Sequence, residues 1–291
     1  MQIDDLHSVG IVGTGTMGGE IGMVCALQGL QVILYDLSPS ALDSTQKRLV
    51  QAAENYVAVE WVTADAVSEA RSQMNYTASL EDLGDVDLIS ESVYEELEVK
   101  RKIWRQLAGI CNERTVFTTN TSSLRPSEFA AATGRPDRFA AMHFHLPILG
   151  NKIVDVMNHG QTSTDTMDLV EAFVGRIGLI PIRIEKENPG YVFNSMLIGF
   201  LLEAGRLLVN EIASKEDIDR AWTTIMGTPA GPFAIMDHIG VDTAWRVIQG
   251  IAERDNDSEL SQFAAMLEAM VDEGRLGAKA GQGFYSYPQP D

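Results

Sequence analysis

Polar side chains that could carry out acid–base chemistry stand at the ends of two predicted strands. Asn120-Thr121-Ser122-Ser123 follows the β-branched run TVFTT, and His143-Phe144-His145 follows RFAAM. Asp155 lies on the next predicted strand, KIVDVM. A histidine titrates near neutrality and serves as a general base when a carboxylate orients its ring. Because ligands bind beyond the carboxyl ends of strands in open parallel sheets, these side chains are candidates for a functional site there.

Taken singly, each candidate also has a structural interpretation. Ser122 or Ser123 could cap a short helix, and His143 could be a satisfied core histidine. Asp155 could be a strand-end charge, and Asn194, near the start of an apolar helix, could be a buried cap. For any one of these residues taken alone, the structural interpretation is favoured over the catalytic one.

A two-residue spacing places the side chains of His143 and His145 on one face of a strand, which could indicate a metal site. No third ligand occurs at a recognisable spacing in the sequence. We therefore expect no metal.

A glycine-rich turn follows the first predicted strand. The run SVGIV leads into Gly13-Thr14-Gly15-Thr16-Met17-Gly18, and a helical segment through Gln28 comes next. In such a turn the first glycine allows the tight bend and the second lets the backbone approach a pyrophosphate. The third permits close packing of helix and strand, with the helix N-terminus facing the anion. The candidate cofactor-binding residues of this turn are Gly13, Gly15, Thr16, Met17 and Gly18.

An acidic residue, Asp36, ends the second predicted strand, QVILYD, at 18 residues beyond Gly18. An acid in this place hydrogen-bonds the hydroxyl groups of the adenosine ribose. Leu37 and Ser38 follow it, so no basic side chain is at hand for a 2′-phosphate. The pattern favours NAD over NADP.

The elements that must position these residues change in character near residue 187. Before it, β-branched runs alternate with helical stretches, which indicates βαβ units and a mostly parallel, Rossmann-like sheet over residues 1–187. After it, Pro189-Gly190 breaks the chain. The next helix, starting at YVFNSML, is apolar on nearly all sides and is predicted to be buried. We expect an α/β domain followed by an all-α domain over residues 188–291.

Composition excludes several classes of protein. The 291 residues are 45% hydrophobic and 22% charged, as in soluble globular proteins and unlike collagen-like or disordered chains. The 41 acidic and 22 basic residues leave a net charge of −19, so neither nucleic acid nor a membrane is an expected partner. Cys25 and Cys111 lie in apolar contexts, and the start MQIDDLH lacks the basic segment of a signal peptide. We expect a cytoplasmic location.

Five motifs together resemble the 3-hydroxyacyl-CoA dehydrogenase family. They are the glycine-rich turn, N-T-S-S-L, H-F-x-x-P, N-P-G-Y-V-F-N and the closing G-A-K-A-G-Q-G-F-Y, in family order over nearly the whole chain. The resemblance implies a Rossmann-like NAD domain followed by a helical domain that dimerises, and hence a homodimer. It also implies oxidation of a short-chain (3S)-3-hydroxyacyl-CoA to the 3-oxoacyl-CoA.

The resemblance also assigns roles to residues. The general base falls on His143, the carboxylate that orients it on Asp155, and the two positioning groups on Ser122 and Asn194. Since Asn194 belongs to the helical domain, the resemblance implies a reaction between the two domains. Positions that help to hold the cofactor fall on Glu95, Lys100, Asn120 and Lys279.

The sequence departs from the family on the substrate side. Leu146 replaces an asparagine, and Asp155 is shorter than the family's glutamate. Residues 49–70 contain no lysine or arginine but four acids: Glu54, Glu60, Asp65 and Glu69. An acidic stretch opposes the phosphates of coenzyme A, which normally recruit cations or helix N-termini.

Two other hypotheses remain open on these grounds. The enzyme could oxidise a small free hydroxy acid or related alcohol, or the chain could be a catalytically silent NAD-binding protein. A relationship to 3-hydroxyisobutyrate or 6-phosphogluconate dehydrogenases is disfavoured, because those enzymes use a lysine on the linking helix and residues 188–214 contain none.

Overall fold

The computed structural model describes residues 2–288 and divides the chain into two compact units, the first ending at Val192 and the second beginning at Phe193. The sequence placed this boundary after residue 187. The first unit extends further because Asn188 and Tyr191 are bonded to it: the Asn188 amide donates to Met157 Sδ, and the Tyr191 hydroxyl donates to the Thr121 carbonyl.

The first unit is built on one eight-stranded sheet, ordered β3-β2-β1-β4-β5-β6-β7-β8. The strands are β1 (Ser8–Val12), β2 (Gln31–Tyr35), β3 (Met74–Thr77), β4 (Leu88–Glu91), β5 (Val116–Thr119), β6 (Phe139–Phe144), β7 (Ile153–Met157) and β8 (Ile180–Ile184). Each neighbouring pair is parallel except β6 and β7, which are antiparallel. The predicted mostly parallel sheet is confirmed. The sequence analysis missed β3, whose four residues give too short a pattern to recognise.

Helices cover both faces of the sheet. Those of the first unit are α1 (Thr16–Leu27), α2 (Pro39–Ala58), α3 (Ala64–Ser72), α4 (Leu97–Ile110), α5 (Ile148–Asn151) and α6 (Thr164–Arg176). One core layer contains Ile11, Val154 and Phe173, and the other contains Trp104 and Phe117. All six residues of β6 are buried, as is expected for a strand covered on both sides.

The second unit is helical, as predicted. Its helices are α7 (Phe193–Val209), α8 (Lys215–Met226), α9 (Pro232–Ile239), α10 (Val241–Asp255) and α11 (Ser258–Asp272). They pack around Phe233, Phe263 and Leu267. The prediction that α7 is buried was wrong for this chain: Met196 is 64% exposed, and α7 buries Leu201, Ala204 and Gly205. One face of α7 packs in this core, whereas Phe193 and Met196 in its first turn are exposed.

Within the described part of the chain, no helix combines the length and the apolar character that crossing a membrane requires.

Candidate active site

The glycine-rich turn between β1 and α1 has the geometry that an anion cradle needs. Gly13 has a φ of +91° and lies against the Ser92 carbonyl, a conformation and a closeness that favour glycine. A side chain at Gly18 would collide with the Gly13 carbonyl, so this glycine lets α1 approach the turn. At Gly15, which caps α1, a Cβ would meet open space. The space ahead of the helix N-terminus therefore fits the pyrophosphate of NAD.

Asp36 is fixed beside this turn, at the end of β2. Its Oδ2 accepts hydrogen bonds from the Thr14 amide at 3.0 Å and the Thr14 hydroxyl at 3.2 Å, and its Oδ1 accepts from the Ser38 amide. The carboxylate is thus held where β1 and β2 end together, next to the cradle. This placement suits an acceptor for ribose hydroxyls, and its charge repels a 2′-phosphate.

We expect Asp36→Ala to weaken NADH binding by roughly 10- to 150-fold, because a hydrogen bond to a charged group contributes about 1.5–3 kcal/mol. Binding of NADPH should weaken less or improve, since the repelling charge is gone. Fluorescence titration with both dinucleotides measures the change. Asp43→Ala, an exposed acid on α2, is the matched control. An unaltered preference for NADH would show that Asp36 does not contact the ribose.

A buried ion-pair cluster joins the end of β4 to α4. Lys100 Nζ is 2.7 Å from Glu91 Oε1 and 3.2 Å from Glu95 Oε2, and the Lys100 and Glu91 side chains are 1% and 0% exposed. The Thr119 hydroxyl donates to Glu91 Oε2. The contacts of Lys100 in this structure are thus with carboxylates, and its role toward the cofactor stays a prediction.

Glu95 organises the loop that follows β5. Its Oε1 accepts hydrogen bonds from the Thr121 hydroxyl and from three consecutive backbone amides, those of Ser122, Ser123 and Leu124. Burial alone would raise the pKa of Glu95, but the charge of Lys100 and these hydrogen bonds lower it to about 2. Glu95 is therefore ionised at neutral pH and holds Ser122 in place. Sequence reasoning assigned Glu95 to the cofactor and missed this role.

Ser122 and His143 are brought together by Asn120. Asn120 Oδ1 accepts a hydrogen bond from the Phe144 amide at 2.9 Å, which ties the end of β5 to the end of β6. As a result Ser122 Oγ lies 3.2 Å from His143 Nε2. The two side chains are within hydrogen-bond reach of each other and of a group placed between them.

Asp155 faces His143 across the antiparallel pair. The two residues are partners in the β6–β7 register, and His143 Nδ1 is 3.3 Å from Asp155 Oδ2. His145 Nε2 is 2.9 Å from the same oxygen. Burial alone would raise the pKa of Asp155, but the hydrogen bonds from the two histidines outweigh it and lower that pKa. The shorter acid therefore reaches His143 directly.

The positions of His143, His145 and Asp155 are also relevant to whether the site could bind a metal ion. One donor atom from each of His143, His145 and Asp155 lies within 4.8 Å of the others, so the register supplies the third group that the sequence did not reveal. In this structure the three groups are joined by hydrogen bonds. The expectation of a metal-free site stays a prediction.

Tyr191 is a site residue that the sequence analysis did not single out. Its ring stacks on His143 with centroids 4.4 Å apart and planes 4° from parallel, and its hydroxyl donates to the Thr121 carbonyl at 2.5 Å. Burial and nearby carboxylates raise the pKa of Tyr191, so the phenol stays protonated at neutral pH. Tyr191 is part of the N-P-G-Y-V-F-N motif, which could have drawn attention to it, but it is far from His143 in the sequence and no spacing relates the two residues.

The remaining candidates belong to the second unit. Asn194 is the second residue of α7 and is half-buried. Lys279 forms an ion pair with Asp242 in the first turn of α10. The structure thus brings Ser122, His143 and Asp155 together within the first unit, and the roles of Asn194 and Lys279 stay predictions.

Two sequence models of known protein families match the chain. The model described as "3-hydroxyacyl-CoA dehydrogenase, NAD binding domain" matches residues 8–188, and that described as "3-hydroxyacyl-CoA dehydrogenase, C-terminal domain" matches residues 190–287. Together they span both structural units.

Individual proteins are similar over nearly their whole lengths. The human mitochondrial hydroxyacyl-coenzyme A dehydrogenase is 34% identical over 96% of this chain and 90% of its own. The 3-hydroxybutyryl-CoA dehydrogenase of Bradyrhizobium diazoefficiens is 32% identical over 97% of this chain and 96% of its own.

Solved structures agree in fold. The (S)-3-hydroxybutyryl-CoA dehydrogenase of Ralstonia eutropha superposes with a TM-score of 0.88 at 34% identity, covering 98% of this chain and 100% of that one. A diketoreductase described as acting on dicarbonyl compounds superposes with a TM-score of 0.89 at 36% identity, covering 97% and 99%.

Proposed function

The chain belongs to the 3-hydroxyacyl-CoA dehydrogenase family, and we propose that it interconverts a short-chain (3S)-3-hydroxyacyl-CoA and its 3-oxoacyl-CoA with His143 as general base. It is an NAD-dependent dehydrogenase that acts on a CH–OH group. The observation that carries the assignment of the base is the continuous contact from Ser122 Oγ through the His143 ring to Asp155 Oδ2.

The proton leaves the substrate through this contact. Asp155 accepts a hydrogen bond from Nδ1–H of His143, which leaves the lone pair on Nε2 facing the Ser122 side. Nε2 then takes the proton of the substrate hydroxyl, and Asp155 stabilises the imidazolium that forms. When bound, NAD accepts the hydride. Ser122 hydrogen-bonds the reacting oxygen and keeps it beside Nε2.

The rest of the first unit supports this geometry. Tyr191 covers one face of the His143 ring, and Glu95 fixes the backbone on both sides of Ser122. Because these groups are set before substrate arrives, little reorganisation is needed during the reaction.

The substrate could instead be a small free hydroxy acid or a related alcohol. Glu54, Glu60, Asp65 and Glu69 are all exposed on and around α2 and α3, where they oppose a phosphate-bearing coenzyme. The similarity to a reductase of dicarbonyl compounds fits this second candidate. The acyl-CoA substrate is favoured because the relatives named above are described as acting on hydroxyacyl-CoA substrates.

Loss of NADH absorbance separates the two candidates when acetoacetyl-CoA is compared with free acetoacetate and small oxo acids. We expect kcat/KM for acetoacetyl-CoA to exceed that for acetoacetate by at least about 100-fold, since the coenzyme supplies remote binding energy. Activity on free acids alone would favour the second candidate. A protein that binds NADH but reduces none of these compounds would contradict both and favour a silent NAD-binding role.

We also propose that the protein is a homodimer joined through its helical unit. The supporting observation is a set of exposed apolar side chains on and next to α7 and α8: Met196 (64%), Ile212 (68%), Ile225 (82%) and Met226 (56%). A second copy would cover them. Light scattering tests this proposal, and a mass of 31.8 kDa would contradict it. The cytoplasmic location also stays a proposal.

A further inference from the structure

We propose that His145 is a positioning residue that shares Asp155 with the general base and thereby sets the pH at which His143 accepts a proton. The inference rests on the proposed role of His143. The sequence shows Leu146 and Asp155 as differences from the family pattern, and it points to His145 only as a candidate metal ligand.

The two histidines converge on one atom. His143 and His145 stand two residues apart at the end of β6, so both point to the same face of the sheet. Their rings meet edge to face, with centroids 4.7 Å apart and planes at 81°. Asp155 Oδ2 lies 2.9 Å from His145 Nε2 and 3.3 Å from His143 Nδ1. The shorter contact is therefore the one to the residue that is not the base.

Because both histidines bond to Asp155 Oδ2, this oxygen interacts more weakly with each of them than it would with one alone. The carboxylate stabilises a protonated His143 through its negative charge. The N–H of His145 Nε2 donates to the same oxygen and so reduces the charge available to His143. Asp155 Oδ1 has no hydrogen-bond partner among the described residues, so the printed hydrogen bonds to this carboxylate are those of the two histidines at Oδ2. We therefore expect His145 to reduce the stabilisation that Asp155 gives to the imidazolium of His143.

Other ionisable groups surround the pair. Tyr191 stacks on the face of His143, Glu95 holds the Ser122 loop next to it, and the further charges near Tyr191 are those of Glu91, which pairs with Lys100, and of Glu187. All of these stay in place when only residue 145 is changed. A shift that appears in His145→Phe and is reversed in His145→Gln is therefore attributed to the N–H that His145 donates to Asp155 Oδ2.

Two variants test the inference. His145→Phe keeps a ring of similar size but removes the donor, whereas His145→Gln keeps an N–H near the position of Nε2. We expect the ring titration of His143 to move to higher pH by about 1 unit in His145→Phe, because a hydrogen bond to a charged group is worth about 1.5–3 kcal/mol and is only partly diverted. In His145→Gln the midpoint should stay within about 0.3 units of the unaltered protein.

The titration is followed by NMR of the imidazole nitrogens, without substrate. The chain has five histidines, so the His143 signals can be assigned from their loss in His143→Asn. This readout does not depend on turnover and stays informative even if the proposed reaction is wrong. In the oxidation assay, the pH at which kcat/KM is half-maximal should move in the same direction, with the high-pH plateau retained.

Each possible result of these experiments either supports or overturns the proposed role of His145. A rise in His145→Phe that is reversed in His145→Gln supports the inference. Equal midpoints in all three proteins would overturn it, as would a fall in His145→Phe. A loss of turnover in both variants, without any movement of the NMR midpoint, would show that His145 only supports the fold. Absence of turnover in the unaltered protein would count against the proposed function alone.

Discussion

We expect His143→Ala to lower kcat by about 10²–10⁴, the usual contribution of a general base, and to leave NADH binding unchanged. The cofactor cradle lies at the turn after β1, and no hydrogen bond described for it involves His143. The ring of His143 is instead held by Ser122, Asp155 and Tyr191. Removing it therefore takes away the proton acceptor without disturbing the nucleotide site.

Steady-state NADH kinetics and fluorescence titration with NADH measure the two effects separately. His7→Ala, an exposed histidine, is the matched control and should leave both unchanged. Asp155→Asn should also lower turnover with NADH binding retained, because the amide does not stabilise the imidazolium. Unchanged kcat in His143→Ala would remove the proposed base from the mechanism.

We expect Lys100→Met to lower the free energy of unfolding by about 3–5 kcal/mol at neutral pH, because it leaves a buried carboxylate without its cation. Glu91 is fully buried, and its Oε1 lies 2.7 Å from Lys100 Nζ. The loss should also loosen the Ser122 loop, because Glu95 contacts the same ammonium group. Urea unfolding measures the change in stability.

Two further variants make this result specific. Lys102→Met, on the exposed side of α4, should change stability by less than about 0.5 kcal/mol. Adding Glu91→Gln to Lys100→Met should recover part of the lost stability, since the buried carboxylate that has no cation is then replaced by a neutral amide. Equal stability of Lys100→Met and Lys102→Met would show that Glu91 finds another partner or takes up a proton in the folded protein.

The site depends on contacts between chain segments far apart in sequence. Glu95 reaches the 121–124 backbone, Asn120 reaches Phe144, and Tyr191 reaches both Thr121 and His143. Each contact joins the ends of neighbouring strands or the segment just before the second unit. In the proposed mechanism few side chains take part in the chemistry, and several others hold them within hydrogen-bond distance of one another.

The sequence by itself determined the features that depend on neighbouring residues. The glycine turn with Asp36, the alternation of strands and helices, and the helical second unit all follow from local pattern, because backbone conformation and periodicity act over a few residues. The family motifs also led to the candidate catalytic residues Ser122, His143 and Asp155, although the arrangement of their atoms was not visible in the sequence.

Only the tertiary structure decided which of these side chains meet. The antiparallel register of β6 and β7 places Asp155 opposite His143 and within reach of His145, and no spacing in the sequence specifies that register. The tertiary structure likewise decided three other features: the hydrogen bonds from Glu95 to the Ser122 loop, the stacking of Tyr191 on His143 and the exposure of part of α7. The physical reason is that strand order and packing are set by burial of the whole core, so contacts between distant segments follow from the fold and not from local sequence.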